Sequence, residues 1–128
     1  MSTNENYKYK ALTHNIIGCA MEVHNELATG FLEPVYEEAL SRELTNENIH
    51  HDCQTELEIL YKGESLNKKY RADIIVENKV LLELKAISNL SEIEDAQMIH
   101  YLKVTNIDVG LLINFAQESL QWKRFIDD

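Results

Sequence analysis

Residues 68–87 read KKYRADIIVENKVLLELKAI, two apolar runs of strand length on either side of Glu77, Asn78 and Lys79. Such runs around a short polar turn predict an antiparallel β-hairpin, with strands over 68–76 and 80–87. If the turn has three residues, Val76 lies opposite Val80, and the same register sets Asp73 opposite Glu83. Opposed side chains share a face with Cβ atoms about 5 Å apart, a spacing at which two carboxylates repel unless a cation lies between them. Lys85 follows Glu83 by two residues and shares its face, while Ala72, Ile74, Val76, Leu82 and Leu84 point to the other. Charged side chains are rarely tolerated in a buried strand unless something pairs or coordinates them. Two carboxylates and an ammonium on one face suit a magnesium ion, held by one or two carboxylates and waters with a cation nearby to act on phosphate.

The rest of the chain supplies layers for that hairpin. Leu12, Ile16, Cys19, Ala20, Val23 and Leu27 recur at helical spacing and predict a helix over 13–28. Gly30 punctuates, and Pro34 starts a second helix that ends near Asn48. Glu37 and Glu38 favour its N-terminal dipole, and Leu32, Val35, Tyr36, Ala39, Leu40 and Leu44 form its apolar stripe. CQTELEILYK (53–62) alternates as a strand and KGES is a turn. Ser91 and Glu94 form a capping box opening a helix that runs to about Asn106. DVGLLINF (108–115) reads as a buried strand and LQWKRFI (120–126) as a last short one. Because a helix of about sixteen residues connects them, the strands at 80–87 and 108–115 are expected to run parallel through a right-handed crossover. The expected fold is one α/β domain over 1–128, a mixed central sheet flanked by helices, with 1–10 as a flexible tail.

Composition fits that reading: 128 residues, 45% hydrophobic and 27% charged, suffice for one domain with one core. No apolar run could span a bilayer and no apolar segment follows the polar start, so no membrane partner and a cytoplasmic location are expected. Cys19 and Cys53 lie far apart without a C-x-x-C pattern, which fits reduced thiols. The net charge of −10 argues against a general nucleic-acid binder, since phosphate contacts need Lys and Arg. The charge is uneven, however. Residues 62–85 carry six basic groups against four acidic, whereas 1–61 carry three against eleven and 86–128 three against seven.

Taken with GFLEPVY (Gly30, Glu33, Tyr36), the Asp73, Glu83-Leu84-Lys85 constellation resembles the PD-(D/E)XK nuclease motif, and specifically its GxxExxY family. The resemblance runs from IIGCAMEVHNELATGFLEPVYEEAL through YRADIIVENKVLLELKA to AQMIHYL and VGLLINF, motifs in the family order. It implies a restriction-endonuclease-like core, Mg2+ (or Mn2+ in its place), and hydrolysis of nucleic acid, chiefly DNA. It implies Asp73 and Glu83 as metal ligands, the Leu84 carbonyl as a third, Glu33 as an acidic residue on an early helix that helps ligate the metal, and Lys85 beside the attacking water. Gln97 and Tyr101 match a Q-x-x-x-Y element of the exonuclease-like branch. The usual Pro-Asp pair is here Ala72-Asp73, which leaves the ligand intact. A homodimer and a protein partner are both compatible with the sequence.

Each residue also has a plainer use. Asp73, Glu83 and Lys85 could form an internal salt-bridge cluster. Glu33 could cap its own helix. Gln97 shares a helical stripe with Ile93, Tyr101 and Val104 and is expected to face the interior, bonded either to backbone or into the site. Tyr36 reads as a core aromatic and His24 as a packing residue. His50, His51 and Cys53 lack the spacing of a zinc site. The alternative in another functional class is a non-catalytic domain of the same fold that binds a protein or nucleic-acid partner.

Overall fold

The computed structural model describes residues 7–127. Two helices come first, α1 (Lys10–Leu27) and α2 (Glu33–Asn46), followed by β1 (His51–Leu57) and a small hairpin, β2 (Leu60–Tyr61) and β3 (Glu64–Ser65). Then follow β4 (Tyr70–Val76), β5 (Val80–Lys85), α3 (Glu92–Thr105), β6 (Val109–Asn114) and β7 (Gln121–Ile126). The main sheet has the order β1-β4-β5-β6-β7 and is mixed: β5 pairs with β6 in parallel and the other neighbours are antiparallel. The parallel pair is joined through α3, as a crossover requires. Ser91 caps α3 as expected, its hydroxyl accepting from Ile93 N while Glu94 accepts from Ser91 N, which satisfies donors the helix would leave orphaned.

The sheet is covered on both faces. Ile16, Ala20 and Val23 of α1 and Tyr36, Leu40 and Leu44 of α2 pack on Ile74, Val76, Leu82, Leu84, Leu111 and Ile113. On the other face Met98 and Leu102 of α3 cover Tyr70, Ala72, Ile75, Leu81 and Leu112. Strands buried on both faces read as near-continuous apolar runs, which is why β5 and β6 carry so little alternation.

Several local expectations give way. Residues 53–62 do not form one strand: β1 ends at Leu57, and the expected KGES turn tightens to Lys62 and Gly63 because Glu64 and Ser65 pair back on Leu60 and Tyr61. Ala72 lies on the α3 face and not with Ile74. Ala72 and Ile75 are three residues apart yet share a face, which strict alternation forbids, so β4 turns over at Asp73. The β1–β4 ladder skips Asp73 and its opposite number, Gln54, at this point, and Gln54 has a left-handed φ of 54°. Of the expected tail, positions 1–6 lie outside the described residues. Lys8 pairs with Asp108 at 2.5 Å, Tyr9 packs on the core and Lys10 opens α1. No helix among the described residues is long and apolar enough to cross a membrane.

Candidate active site

The β4–β5 hairpin pairs Val76 with Val80, Ile75 with Leu81 and Ile74 with Leu82, the expected register. One step further the ladder is replaced by carboxylates. Asp73 Oδ2 accepts from Leu84 N at 2.8 Å, and Glu83 Oε2 accepts from Asp73 N at 3.3 Å and from the Tyr70 hydroxyl. The two acids therefore face each other across the open end of the hairpin, where backbone groups that a ladder would consume hold side chains instead.

Both acids sit in an environment that resists charge. Burial, then the neighbouring Asp73 carboxylate, push the Glu83 carboxyl up to about 7 against the bonds from Tyr70 and Asp73 N. Burial likewise raises Asp73, opposed by the Leu84 N–H, by Gln54 and by the Lys85 charge. The Tyr70 phenol is raised by burial and by Glu83, so it stays a donor to the carboxylate. Its ring stacks on Tyr101 with centroids 4.0 Å apart, and Tyr101 is itself raised by burial and then by Glu83.

Lys85 is half-buried and makes no ion pair with any described carboxylate, although its charge is felt by both acids. This is not the mutual salt bridge that the plainer reading requires. The backbone around it is fastened: Lys85 O accepts from Phe115 N at 2.9 Å, and Ala86 N donates to Glu33 Oε2 at 2.9 Å. Asn114, fully buried, accepts from Ile87 N and donates to Ile87 O.

Glu33 opens α2 without capping it, since Leu32 is the N-cap and has no side-chain bond to offer; its carboxylate reaches across to the end of β5. The GxxExxY pattern thereby acquires a structural account. Gly30 takes a φ of 116° that L side chains rarely adopt, Glu33 ties α2 to β5, and buried Tyr36 pins the intervening loop. The Tyr36 hydroxyl donates to Ala28 O at 2.7 Å, and its ring stacks on Phe115 at 4.5 Å.

Gln97 is not where its spacing put it. The residue is exposed and makes no hydrogen bond to any described residue, and Ile93 is 67% exposed. The buried residues of α3 are Met98 and Leu102, so the inward face is rotated about one position from the expected stripe. Of the Q-x-x-x-Y pair only Tyr101 reaches the acidic cluster. His24 is a packing residue whose Nε2 contacts Gln117 O at 2.7 Å, and His51 is engaged by Ser41 at 2.7 Å.

Three neighbours of the site escaped the sequence reading. Tyr70 carries no motif, and only the rule that a buried phenol needs a partner could have flagged it. Gln54 donates to Glu37 Oε1 at 2.6 Å and, at a long 3.5 Å, to Asp73 Oδ1. Glu37 is raised chiefly by burial and also by Asp73.

A mixed five-stranded sheet between helical layers, with two carboxylates and a lysine at the split end of its central hairpin, defines a class of α/β domains built around an acidic centre. The PD-(D/E)XK nuclease superfamily profile matches residues 10–125, and the chain belongs to that superfamily. No curated protein matches the sequence. Among solved structures, the protein SSO0001 superposes with a TM-score of 0.59 at 20% identity, over 73% of this chain and 49% of its own. The chain thus spans about half the length of that neighbour. The alkaline exonuclease LHK-Exo from Laribacter hongkongensis aligns with a TM-score of 0.49 at 11% identity, over 94% of this chain and 71% of its own.

Proposed function

We propose that this protein is a magnesium-dependent nuclease of the GxxExxY type that hydrolyses phosphodiester bonds of nucleic acid, with DNA as the expected substrate. The observation that carries the reading is the facing pair Asp73 and Glu83, with beside them a Lys85 that pairs with no described carboxylate, in a chain of the nuclease superfamily.

The donor set fits the ion. No three His, Cys, Asp or Glu side chains among the described residues gather closely enough to hold a metal alone. Magnesium does not need them, because it keeps several waters and binds through one or two carboxylates. Glu83 Oε1 has no hydrogen-bond partner among the described residues, and Asp73 Oδ1 has only the long contact to Gln54. The Lys85 carbonyl faces β6, so the preceding Leu84 carbonyl leaves the strand on the β4 side, toward Asp73. Asp73, Glu83 and the Leu84 carbonyl would hold the ion, and Glu33 adds negative charge nearby while its bond to Ala86 N fixes the end of β5.

When bound, the ion supplies polarisation of the scissile phosphate and a lowered pKa for an attacking water. Tyr70 orients Glu83 by donating to Oε2, leaving Oε1 for the site. Lys85 places an ammonium against the charge that builds on the phosphate oxygens, the kind of stabilisation that preorganised donors provide. The test is cleavage of end-labelled single-stranded, duplex and branched DNA with Mn2+ or Mg2+ and with chelator. Metal-dependent products are expected. Metal binding without cleavage of any substrate would identify a non-catalytic binding domain.

A further inference from the structure

We infer that the β2–β3 hairpin, together with Lys68 and Lys69, is a grip for single-stranded nucleic acid leading into the acidic centre; the inference rests on the nuclease reading. Residues 60–69 carry three lysines and one glutamate in a chain with a net charge of −10. Elsewhere Lys8, Lys103 and Lys123 are each paired with an aspartate, Lys10 and Lys79 lie over the rings of Tyr7 and Tyr9, and Lys85 belongs to the acidic centre. Among the described residues Lys62, Lys68 and Lys69 pair with no carboxylate: Lys62 Nζ lies 5.5 Å from the Tyr61 ring centroid, and Lys69 Nζ contacts the Ser65 hydroxyl at 3.3 Å. Unneutralised ammonium groups kept clear of so many acids match a polyanion, whose backbone releases counterions when lysines bind it.

The hairpin also offers a surface for bases. It forms its own two-stranded sheet, turned by Lys62 and Gly63 with φ of 51° and 84°, the paired positive values of a type I′ turn. Leu60 and Tyr61 are 56% and 60% exposed. An exposed aromatic ring beside lysines is the arrangement that stacks unpaired bases while tracking the backbone. In a duplex the base faces are hidden from it, so the geometry favours a single strand. The hairpin is also aimed: Leu66 N donates to Ile59 O, Ile59 packs with the cluster of Tyr70 and Tyr101, and four residues after Leu66 the chain reaches Tyr70, whose hydroxyl meets Glu83.

Fluorescence anisotropy with labelled oligothymidylate and with a duplex of equal length tests this, in a Lys85→Met background with Mn2+ so that cleavage is suppressed. Replacing Lys62, Lys68 and Lys69 by Ala together should weaken oligothymidylate binding at least tenfold at low salt. It should also flatten the slope of log K against log salt by about 2, since each single-strand phosphate contact contributes roughly 0.7. Tyr61→Leu keeps an apolar hairpin and should cost about 5- to 100-fold on oligothymidylate while sparing the duplex. Mn2+ should stabilise both variants as it does the background protein, which checks that they fold. If the background protein binds oligothymidylate and the hairpin variants bind equally well, this inference falls and the nuclease reading stands. Equal losses on both DNAs for Tyr61→Leu would overturn the single-strand assignment. If neither DNA binds, both readings fall, whereas the expected binding without cleavage by the unaltered chain would remove the nuclease reading alone.

Discussion

The two ends of the β4–β5 hairpin are built on opposite terms. Next to the turn, Ile74–Val76 and Val80–Leu82 pair residue by residue, and every one of these side chains is buried and apolar. At the open end the ladder stops at Asp73, and its backbone donors are taken up by the Asp73 and Glu83 carboxylates. Burial that stabilises the first end raises the carboxyl groups of the second. The same strands thus provide a rigid mount and a strained centre a few residues apart, and strain of this kind persists where the surroundings over-determine it.

The sharpest test of the mount is Leu82→Ala. The fully buried side chain should cost about 2–5 kcal/mol in denaturant melts, with Mn2+ affinity of the remaining folded protein little changed. A loss confined to metal binding would erase the distinction between the two ends. Lys85→Met tests the centre: metal-dependent cleavage should fall about 100- to 1000-fold, or some 2.7–4 kcal/mol in the barrier, with the melting temperature held. Unchanged cleavage would take the lysine out of the chemistry.

Metal should act on one end only. Mn2+ at about a hundredfold above its Kd should stabilise the parent by roughly 2.7 kcal/mol and leave Asp73→Asn nearly indifferent, a difference visible by calorimetry. A parent unmoved by millimolar Mn2+ would revive the internal-cluster reading. The smallest effect is the most diagnostic of strain. In chelator, the Glu83 carboxyl keeps its proton to about pH 7 in the folded protein and loses it near 4.5 when unfolded. Its contribution to stability is therefore greatest below pH 4.5, falls as pH rises toward 7 and is level above. Glu83→Gln should raise stability at pH 8 by on the order of 1 kcal/mol and do nothing at pH 4, as parallel thermal melts would show. A variant that melts lower at pH 8 would mean the carboxylate pair is no burden.

Much of this contrast was legible beforehand. Turn length and the period of two placed Asp73 opposite Glu83, and Ser91 with Glu94 marked where α3 begins. What escaped notice depended on backbone excursions without a side-chain signature. The left-handed Gln54 and the turnover of β4 at Asp73 move Ala72 to the α3 face, and neither residue type advertises that conformation. Gln97 was misplaced because apolar residues surround α3: Ile93 and Ile99 are exposed while Met98 and Leu102 are buried, so periodicity alone fits more than one inward face.

Lys85 is held at its root by Phe115, while Glu33 and Asn114 fasten the two residues that follow, and its tip has no partner among the described residues. A charge on so short a stem stays near the acidic pair, so its effective concentration there does not depend on the cations in solution. The protein carries its own counterion on a leash. Added monovalent salt should therefore compete poorly for that position, even where it readily loosens the lysines of the outer hairpin.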